Sequence, residues 1–160
     1  MSGDAHRLPD ADWRRDPALL RLLDALDGPA GTTRAVGGAV RDTLAGLAVA
    51  DVDLATRLLP QDVVTRLENA GMKAVPTGIA HGTITAIADG KRFEVTTLRR
   101  DVETDGRHAK IAFTDDWAAD AARRDFTINA LYADPVSGEI FDPVGGIADL
   151  RARRVRFIGD

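Results

Sequence analysis

The chain has 160 residues, which is the length of one domain and enough to bury a hydrophobic core. It is 44% hydrophobic and 29% charged and has no apolar run long enough to cross a bilayer, so its composition excludes a membrane-spanning class. The absence of cysteine excludes disulfides and thiolate metal sites and fits a cytoplasmic location, while the net charge of −4 excludes a uniformly basic nucleic-acid binder.

Hydrophobic periodicity and turn residues predict the helices and strands of the first half of the chain. In order, they predict a helix at 14–27, a strand at 33–36, a helix at 39–44, a strand at 52–55 and a helix at 60–69. Asp89 and Gly90 then stand between two β-prone runs, at 82–88 and 91–98. An Asp-Gly pair in that position is the strongest short signal for a hairpin, so we expect one here.

The second half of the chain gives weaker signals. Residues 99–114 show no clear period and indicate a mobile loop, which contains Arg107, His108 and Lys110. Beyond it, the pattern predicts a helix at 116–123, strands at 127–132 and 139–141 around a turn at 134–138, and a helix at 147–151. Together the elements indicate an α+β fold with a mixed sheet of about five strands flanked by helices.

Asp51 directly precedes the strand predicted at 52–55, and Asp53 lies in it. At positions i and i+2 of an extended segment, their side chains project from one face and can converge on one site. Two adjacent carboxylates repel each other, and a hard divalent cation such as Mg²⁺ relieves the repulsion. Two such ions can stabilise the attacking and leaving oxygens of an in-line displacement. An Asp-x-Asp pair alone is also common at turns and surfaces, and we interpret the nearby Asp42 as a helix-surface or scaffold residue.

Gly37 and Gly38 lie between a predicted strand and a predicted helix. Glycine there allows close backbone approach, and the start of the helix offers free N–H groups to an anion. Arg41 lies within the first turn of that helix, where its guanidinium can bind a triphosphate. The alternative is a plain tight turn.

Arg123, Arg124 and Asp125 form a third polar group. The arginines can bind phosphate, while the aspartate accepts a hydrogen bond from a ribose hydroxyl. We expect Asn129 to hold the backbone of the turn that follows. The alternative is an Arg–Asp pair at the end of a helix, where the helix dipole favours cations.

These groups belong to a series of six sequence motifs. In order, the motifs are GGAVRD (37–42), DVDLAT (51–56), HGT (81–83), FEVTTLRRD (93–101), RRDFTINAL (123–131) and DPVGGIADL (142–150). Together they resemble the class II tRNA nucleotidyltransferase and bacterial poly(A) polymerase family, within the polymerase-β-like nucleotidyltransferase superfamily. The resemblance runs from Ala35 to Asp160 and implies the fold of that superfamily.

The resemblance also implies roles for individual residues. It assigns nucleoside triphosphate binding to Gly37, Gly38 and Arg41, the catalytic metals to Asp51 and Asp53, and phosphate and ribose binding to Arg124 and Asp125. Glu94 stands where related proteins place a third carboxylate, although it can also pair with an arginine such as Arg99. We interpret His81 as structural, and the loop around Arg107 resembles the flexible loop with which the family closes its site.

The implied reaction is attack of the ribose 3′-hydroxyl at the end of tRNA on the α-phosphorus of CTP or ATP, with release of pyrophosphate. The implied cofactor is Mg²⁺, and the implied partners are CTP, ATP and the tRNA 3′ end. Positioning and charge neutralisation would supply most of the catalysis. Two alternatives remain: a poly(A) polymerase head, which shares these motifs, and a non-catalytic nucleotide- or RNA-binding fragment.

We expect residues 1–30 to form an N-terminal segment with one helix and residues 31–160 to form the catalytic head. In the family, a neck that chooses the nucleotide and body and tail domains that bind tRNA follow the head, and this sequence shows none of them. We therefore expect low activity, poor nucleotide discrimination and tRNA contacts made mainly by the absent domains. Apolar surface at the neck-docking face would also favour self-association of the isolated head.

Overall fold

The computed structural model describes residues 7–102 and 110–158. Within these ranges the helices are α1 (Pro17–Ala25), α2 (Gly38–Leu44), α3 (Pro60–Asn69), α4 (Trp117–Ala122) and α5 (Gly146–Arg151). The strands are β1 (Thr33–Val36), β2 (Asp53–Thr56), β3 (Lys73–Gly78), β4 (Thr83–Ala88), β5 (Lys91–Thr97), β6 (Arg99–Val102), β7 (Lys110–Phe113), β8 (Tyr132–Ala133) and β9 (Ile140–Phe141). The predicted helix positions and the Asp89-Gly90 hairpin are confirmed. None of these helices combines the length and apolar character that a bilayer crossing requires.

The main sheet has seven strands in the order β3-β4-β5-β2-β1-β8-β9. β2 and β5 run parallel, and the other neighbouring pairs run antiparallel. The predicted mixed α+β architecture is confirmed, but the predicted count of about five strands is wrong. The sequence pattern misses β3 because Pro76 and Gly78 interrupt it, and proline is tolerated there because β3 is an edge strand.

The two faces of the sheet carry different cores. On one face, Leu22 of α1 and Leu67 of α3 are fully buried together with Leu54 of β2. On the other face, Ala55 of β2 packs in a smaller cluster with Trp117 of α4. Each fully buried leucine contributes roughly 1.5–3 kcal/mol to stability, so the larger cluster dominates. The smaller cluster leaves part of its face open, and polar side chains occupy that part.

Aspartate side chains set the first residues of two helices. The carboxylate of Asp16 accepts a hydrogen bond from the backbone N–H of Ala18, and Pro17 occupies the first helical position of α1. Asp116 caps α4 in the same way through the N–H of Ala118. Such caps stabilise a helix by about 1 kcal/mol, and the cap at Asp16 explains why α1 begins later than residue 14.

Residues 99–114 differ most from the sequence prediction. β6 and β7 pair as an antiparallel two-stranded sheet, with Arg99 opposite Phe113, where a loop was predicted. The period of a strand is hidden because Arg100 and Asp101 of β6 are both exposed, so no apolar residue alternates with them. The predicted loop residues Arg107 and His108, and the side chain of Lys110, lie outside the described part of the structure.

The predicted strand at 127–132 is also mostly wrong. Thr127–Asn129 form a 3₁₀ turn, and only Tyr132 and Ala133 pair with β1 and β9. The turn is pressed against α5, since a Cβ placed on Gly146 would come within 2.2 Å of the carbonyl oxygen of Thr127.

Candidate active site

A polar cleft of about 350 Å³ opens beside the end of β1 and the start of β2. The register of the sheet explains its composition, because Val36 lies opposite Asp53 and Asp53 lies opposite Glu94. Paired residues on neighbouring strands share a face, so both carboxylates reach the same space. A larger cavity of about 610 Å³, near the end of α2, is lined by apolar and arginine side chains and has no carboxylate among its described lining residues.

Asp53 is one of the carboxylates that line the cleft. Burial of its carboxylate raises its pKa above the ordinary value, and the neighbouring charges of Glu94 and Asp51 raise it further. The positive charge of Arg124 acts in the opposite direction but does not reverse the shift. Asp51 itself is exposed just before β2 begins, so it borders the cleft and influences Asp53 without lining the cavity.

The chemical type of these side chains suits a divalent cation. The pKa of Asp53 is raised first by burial and then by the neighbouring charges of Glu94 and Asp51, which Arg124 does not balance. Carboxylate oxygens are ligands that Mg²⁺ prefers. Among residues 7–102 and 110–158, no cluster of three or more acidic, histidine or cysteine side chains is arranged to hold a metal unaided. A magnesium site commonly uses one or two carboxylates and completes its coordination with water and substrate phosphates.

The glycine pair forms the turn between β1 and α2. Gly37 has φ 74° and ψ −127°, a conformation that only glycine adopts readily, and its N–H donates to the carbonyl of Leu131. Gly38 begins α2, and no side chain caps the start of that helix. Both glycines line the cleft, and the Nη2 of Arg41 lies 3.5 Å from the position that a Cβ on Gly38 would take.

Arg41 is fixed by two side chains. Its Nη1 donates to the Oδ1 of Asn129 at 2.6 Å, and its Nε donates to the Oδ1 of Asp42 at 2.9 Å. Asp42 therefore acts as a scaffold residue, as predicted. Asn129 was predicted to hold the backbone of its turn, whereas its side-chain oxygen holds the guanidinium of Arg41.

Arg124 enters the cleft from the end of α4, and its side chain is 23% exposed. Its guanidinium donates to Asp120 from Nε at 3.3 Å and from Nη2 at 3.1 Å. Arg124 thus pairs with Asp120 one helical turn earlier rather than with the adjacent Asp125. Arg123 points elsewhere and donates to Asp101 at 3.2 Å.

Asp125 caps the turn that follows α4. Its Oδ1 accepts from the backbone N–H of Phe126 at 2.6 Å and from the side-chain amide of Asn129 at 3.2 Å. The hydrogen bond from Phe126 is the main reason why the pKa of Asp125 lies below its ordinary value. Its carboxylate is therefore an ionised hydrogen-bond acceptor at the rim of the cleft.

Glu94 lines the cleft, which favours the interpretation of a third carboxylate. The alternative pairing with Arg99 is not formed among the described ion pairs, because the Nη1 of Arg99 donates to the carbonyl of His81 at 3.0 Å. His81 lies in an exposed 3₁₀ turn and contributes that backbone carbonyl, in agreement with a structural role.

Sequence reasoning missed two residues of this site, Asp120 and Arg99. Arg99 lines the cleft, and the carboxylate of Asp120 accepts a hydrogen bond from the guanidinium of Arg124. The spacing of Asp120 on α4 and Arg124 just beyond its end, at i and i+4, was the only signal in the sequence. It did not suffice because the packing of α4 against the sheet determines which face of the helix meets the cleft.

Comparisons with known proteins match most of the chain. A family profile for the poly A polymerase head domain matches residues 33–156. The chain is 48% identical over 127 residues to CCA tRNA nucleotidyltransferase 1, mitochondrial, from Danio rerio, an alignment that covers 79% of this chain and 29% of that relative. The chain therefore spans less than a third of the length of such curated relatives.

Solved structures show the same likeness in three dimensions. The Bacillus stearothermophilus CCA-adding enzyme in complex with CTP has a TM-score of 0.73 and 36% identity, with 90% of this chain and 34% of that chain covered. A tRNA nucleotidyltransferase complexed with a primer tRNA and an incoming ATP analog has a TM-score of 0.60 and 28% identity, with 80% and 36% covered. These likenesses confirm the predicted polymerase-β-like fold.

Proposed function

The chain belongs to the poly A polymerase head domain family, and on that premise we propose that it is the catalytic head of a tRNA nucleotidyltransferase. The proposed reaction transfers CMP or AMP from CTP or ATP to the 3′ end of tRNA and releases pyrophosphate. The observation that carries the proposal is one cleft whose lining brings the carboxylates of Asp53 and Glu94 together with the guanidinium groups of Arg41 and Arg124. Carboxylates for a cation and arginines for phosphates are what a metal–triphosphate substrate requires.

The proposed triphosphate site uses the cationic side of the cleft. Arg41 and Arg124 are both held by side chains of the protein, so their guanidinium groups are oriented before a ligand arrives. Arginine forms charge-assisted hydrogen bonds with phosphate oxygens. The uncapped turn at Gly37 and Gly38 would add backbone N–H donors, and Asp125 would accept from a ribose hydroxyl.

The proposed cofactor is a divalent cation, and we take it to be Mg²⁺. Asp51 and Asp53 would hold it, with Glu94 as a third carboxylate beside them. When bound, Mg²⁺ lowers the pKa of an attacking hydroxyl and neutralises triphosphate oxygens. The carboxylates must be ionised for this role, so protonation of Asp53 at low pH competes with it.

The proposed substrates come from the relatives. One of the similar structures contains CTP, and another contains a primer tRNA with an ATP analog. We propose that residues 31–160 form the head, that residues 1–30 are an N-terminal segment, and that parts of the relatives not covered by this chain govern nucleotide choice and most tRNA contacts. The cytoplasm, where tRNA and nucleoside triphosphates are both available, is the proposed location.

Incorporation assays test the substrate assignment. We expect the 160-residue chain to add labelled CMP to tRNA that lacks its 3′ end, slowly and with poor discrimination between CTP and ATP. Use of ATP alone, on any RNA 3′ end, would identify a poly(A) polymerase head instead, as the family profile also allows. Metal-dependent CTP binding with no transfer would identify a non-catalytic nucleotide-binding module. Rapid, ordered addition of C, C and A would contradict the proposed need for further segments.

A further inference from the structure

Asp120 is a buried carboxylate behind the candidate active site. Its exposed fraction is only 2%, yet its two oxygens accept hydrogen bonds from three residues. Oδ2 accepts from Arg124 and from the hydroxyl of Tyr132, the latter at 2.6 Å, and Oδ1 accepts from the backbone N–H of Arg99 at 2.9 Å. A buried charge with this many donors is well satisfied, and its removal leaves those donors without their acceptor.

The hydrogen bonds of Asp120 fix one edge of the Arg124 guanidinium. Nε and Nη2 both point to Asp120, and Nε also lies 3.3 Å from the hydroxyl of Tyr132. No described residue accepts a hydrogen bond from Nη1, although Arg124 lines the cleft that contains Asp53. The guanidinium is thus held on one side and offers its other side to a ligand.

A second arginine depends on the same carboxylate. Arg99 begins β6, directly after β5, and its backbone N–H is the group bound by Asp120. The side chain of Arg99 lines the same cleft, and its buried Nε has no hydrogen-bond partner in the described part of the chain. Asp120 therefore fixes the backbone of one cleft arginine and the side chain of another.

We propose that Asp120 is a positioning residue, which holds Arg124 and the start of β6 so that Arg124 and Arg99 both face the triphosphate of the bound nucleotide. This inference rests on the proposed function, since the ligand of the cleft is taken to be a nucleoside triphosphate. It assigns to Asp120 no contact with the substrate. Its effect on binding passes through the guanidinium of Arg124 and the backbone of Arg99.

The chain contains a chemically matched control at Asp149. That carboxylate is also buried, and it accepts from the hydroxyl of Thr127 and from two arginines, Arg154 and Arg156. It does not line the cleft. Asp120→Asn and Asp149→Asn therefore remove the same kind of buried charge, and both should lower the melting temperature.

The test is isothermal titration of Mg²⁺–CTP into the wild-type chain, Asp120→Asn, Arg124→Gln, the double variant and Asp149→Asn. We expect Asp120→Asn to weaken binding roughly tenfold, the lower end of the effect seen when a ligating side chain loses its orienting partner. The double variant should bind more weakly than Arg124→Gln by clearly less than tenfold, because only the effect of Asp120 through the backbone of Arg99 is left once Arg124 is replaced. Asp149→Asn should lower the melting temperature but leave the affinity unchanged.

The inference is overturned if Asp120→Asn binds CTP as the wild type does, if the losses of the two single variants add in full, or if Asp149→Asn weakens binding equally. If Asp120→Asn does not fold, Tyr132→Phe is the substitute. We expect it to weaken binding roughly threefold, because the hydroxyl that donates to Asp120 and accepts from Arg124 is lost. Unchanged binding in Tyr132→Phe then overturns the inference. A wild-type chain that binds no triphosphate overturns the proposed function itself, a result distinct from these.

Discussion

At the scale of the residue, the cleft keeps charged groups only partly compensated. Asp53 lies near two other carboxylates, while Arg41 and Arg124 are held by Asn129 and Asp120 rather than by Asp53. Such an arrangement costs stability in the free protein. It is favourable only when a cation and an anionic ligand bind together, which is the situation proposed for a metal–triphosphate substrate.

The charge at Asp53 leads to a stability prediction. Because its folded-state pKa is raised above the ordinary value of 3.8, the folded state binds the proton more tightly than the unfolded state, and the ionised form destabilises the fold. We expect Asp53→Asn to increase the free energy of unfolding at pH 7 by about 0.5 kcal/mol. The effect is small because the residue as a whole is exposed, so solvent screens much of the charge of its carboxylate. Urea unfolding at several pH values measures the effect.

The sign of the pH dependence makes this prediction specific. The advantage of Asp53→Asn should shrink as pH falls through the folded pKa and vanish well below 3.8, where Asp53 is protonated in both states. Glu68→Gln, an exposed substitution on α3, is the control and should show no such trend. An advantage that grew at low pH would mean that Asp53 is stabilised, not strained, by its neighbours.

Single residues of the site were predictable where they belong to a short sequence motif. The cleft is lined by Gly37, Gly38, Arg41, Asp53, Arg124 and Asp125, whereas Asp51 stands outside the lining. The roles that the motifs assign to these residues stay predictions. Asp120 and Arg99 were not predictable in this way. Their contribution depends on long-range packing, because the N–H that Asp120 binds belongs to a strand 21 residues away in sequence.

At the scale of the element, helices and strands were predictable where local turn residues mark their ends. The Asp89-Gly90 hairpin and the start of α3 at Pro60 were predicted because each depends on residues adjacent in sequence. β3 and the β6–β7 pair were missed because their pairing is not accompanied by apolar alternation. The 3₁₀ turn at Thr127–Asn129 was read as a strand because contact with α5, far along the chain, determines its conformation.

The turn before α2 gives a prediction at this scale. Gly37→Ala places a side chain at φ 74°, which costs about 1–3 kcal/mol and displaces the start of α2. Gly46→Ala is a matched control, because Gly46 has φ 76° but lies at the other end of α2, with no atom within 4 Å of the added Cβ. Both variants should have lower melting temperatures, but only Gly37→Ala should weaken CTP binding. Equal binding losses would contradict the assigned role of the turn.

The contact between α5 and the 3₁₀ turn at Thr127–Asn129 gives a second prediction at the scale of the element. A Cβ at Gly146 would lie 2.2 Å from the carbonyl oxygen of Thr127, so Gly146→Ala must separate the two elements. We expect a loss of about 1–3 kcal/mol in the free energy of unfolding, measured by urea denaturation. Gly78→Ala, whose Cβ would meet its nearest atom at 3.5 Å, should be tolerated better. If both variants were equally stable, the close approach would not exist in solution.

At the scale of the whole molecule, the site is assembled from segments far apart in sequence. The cleft residues Val36, Asp53, Glu94 and Arg124 come from β1, β2, β5 and the end of α4. Only the order of strands in the sheet, with β2 between β1 and β5, brings them together. The chemistry of the motifs was predictable from local sequence patterns, but the strand order was not. The fold that brings the motifs together was therefore predicted from the family resemblance and not from hydrophobic periodicity.

The most direct test of the account is transfer of labelled CMP from CTP to tRNA lacking its 3′ end, by the wild-type chain and by Asp53→Ala. We predict transfer by the wild type with Mg²⁺ and no transfer when EDTA removes the metal. We also predict no transfer by Asp53→Ala, with circular dichroism as the check that this variant is folded. Transfer by Asp53→Ala at the wild-type rate would contradict the central claim that this carboxylate serves the metal in nucleotidyl transfer.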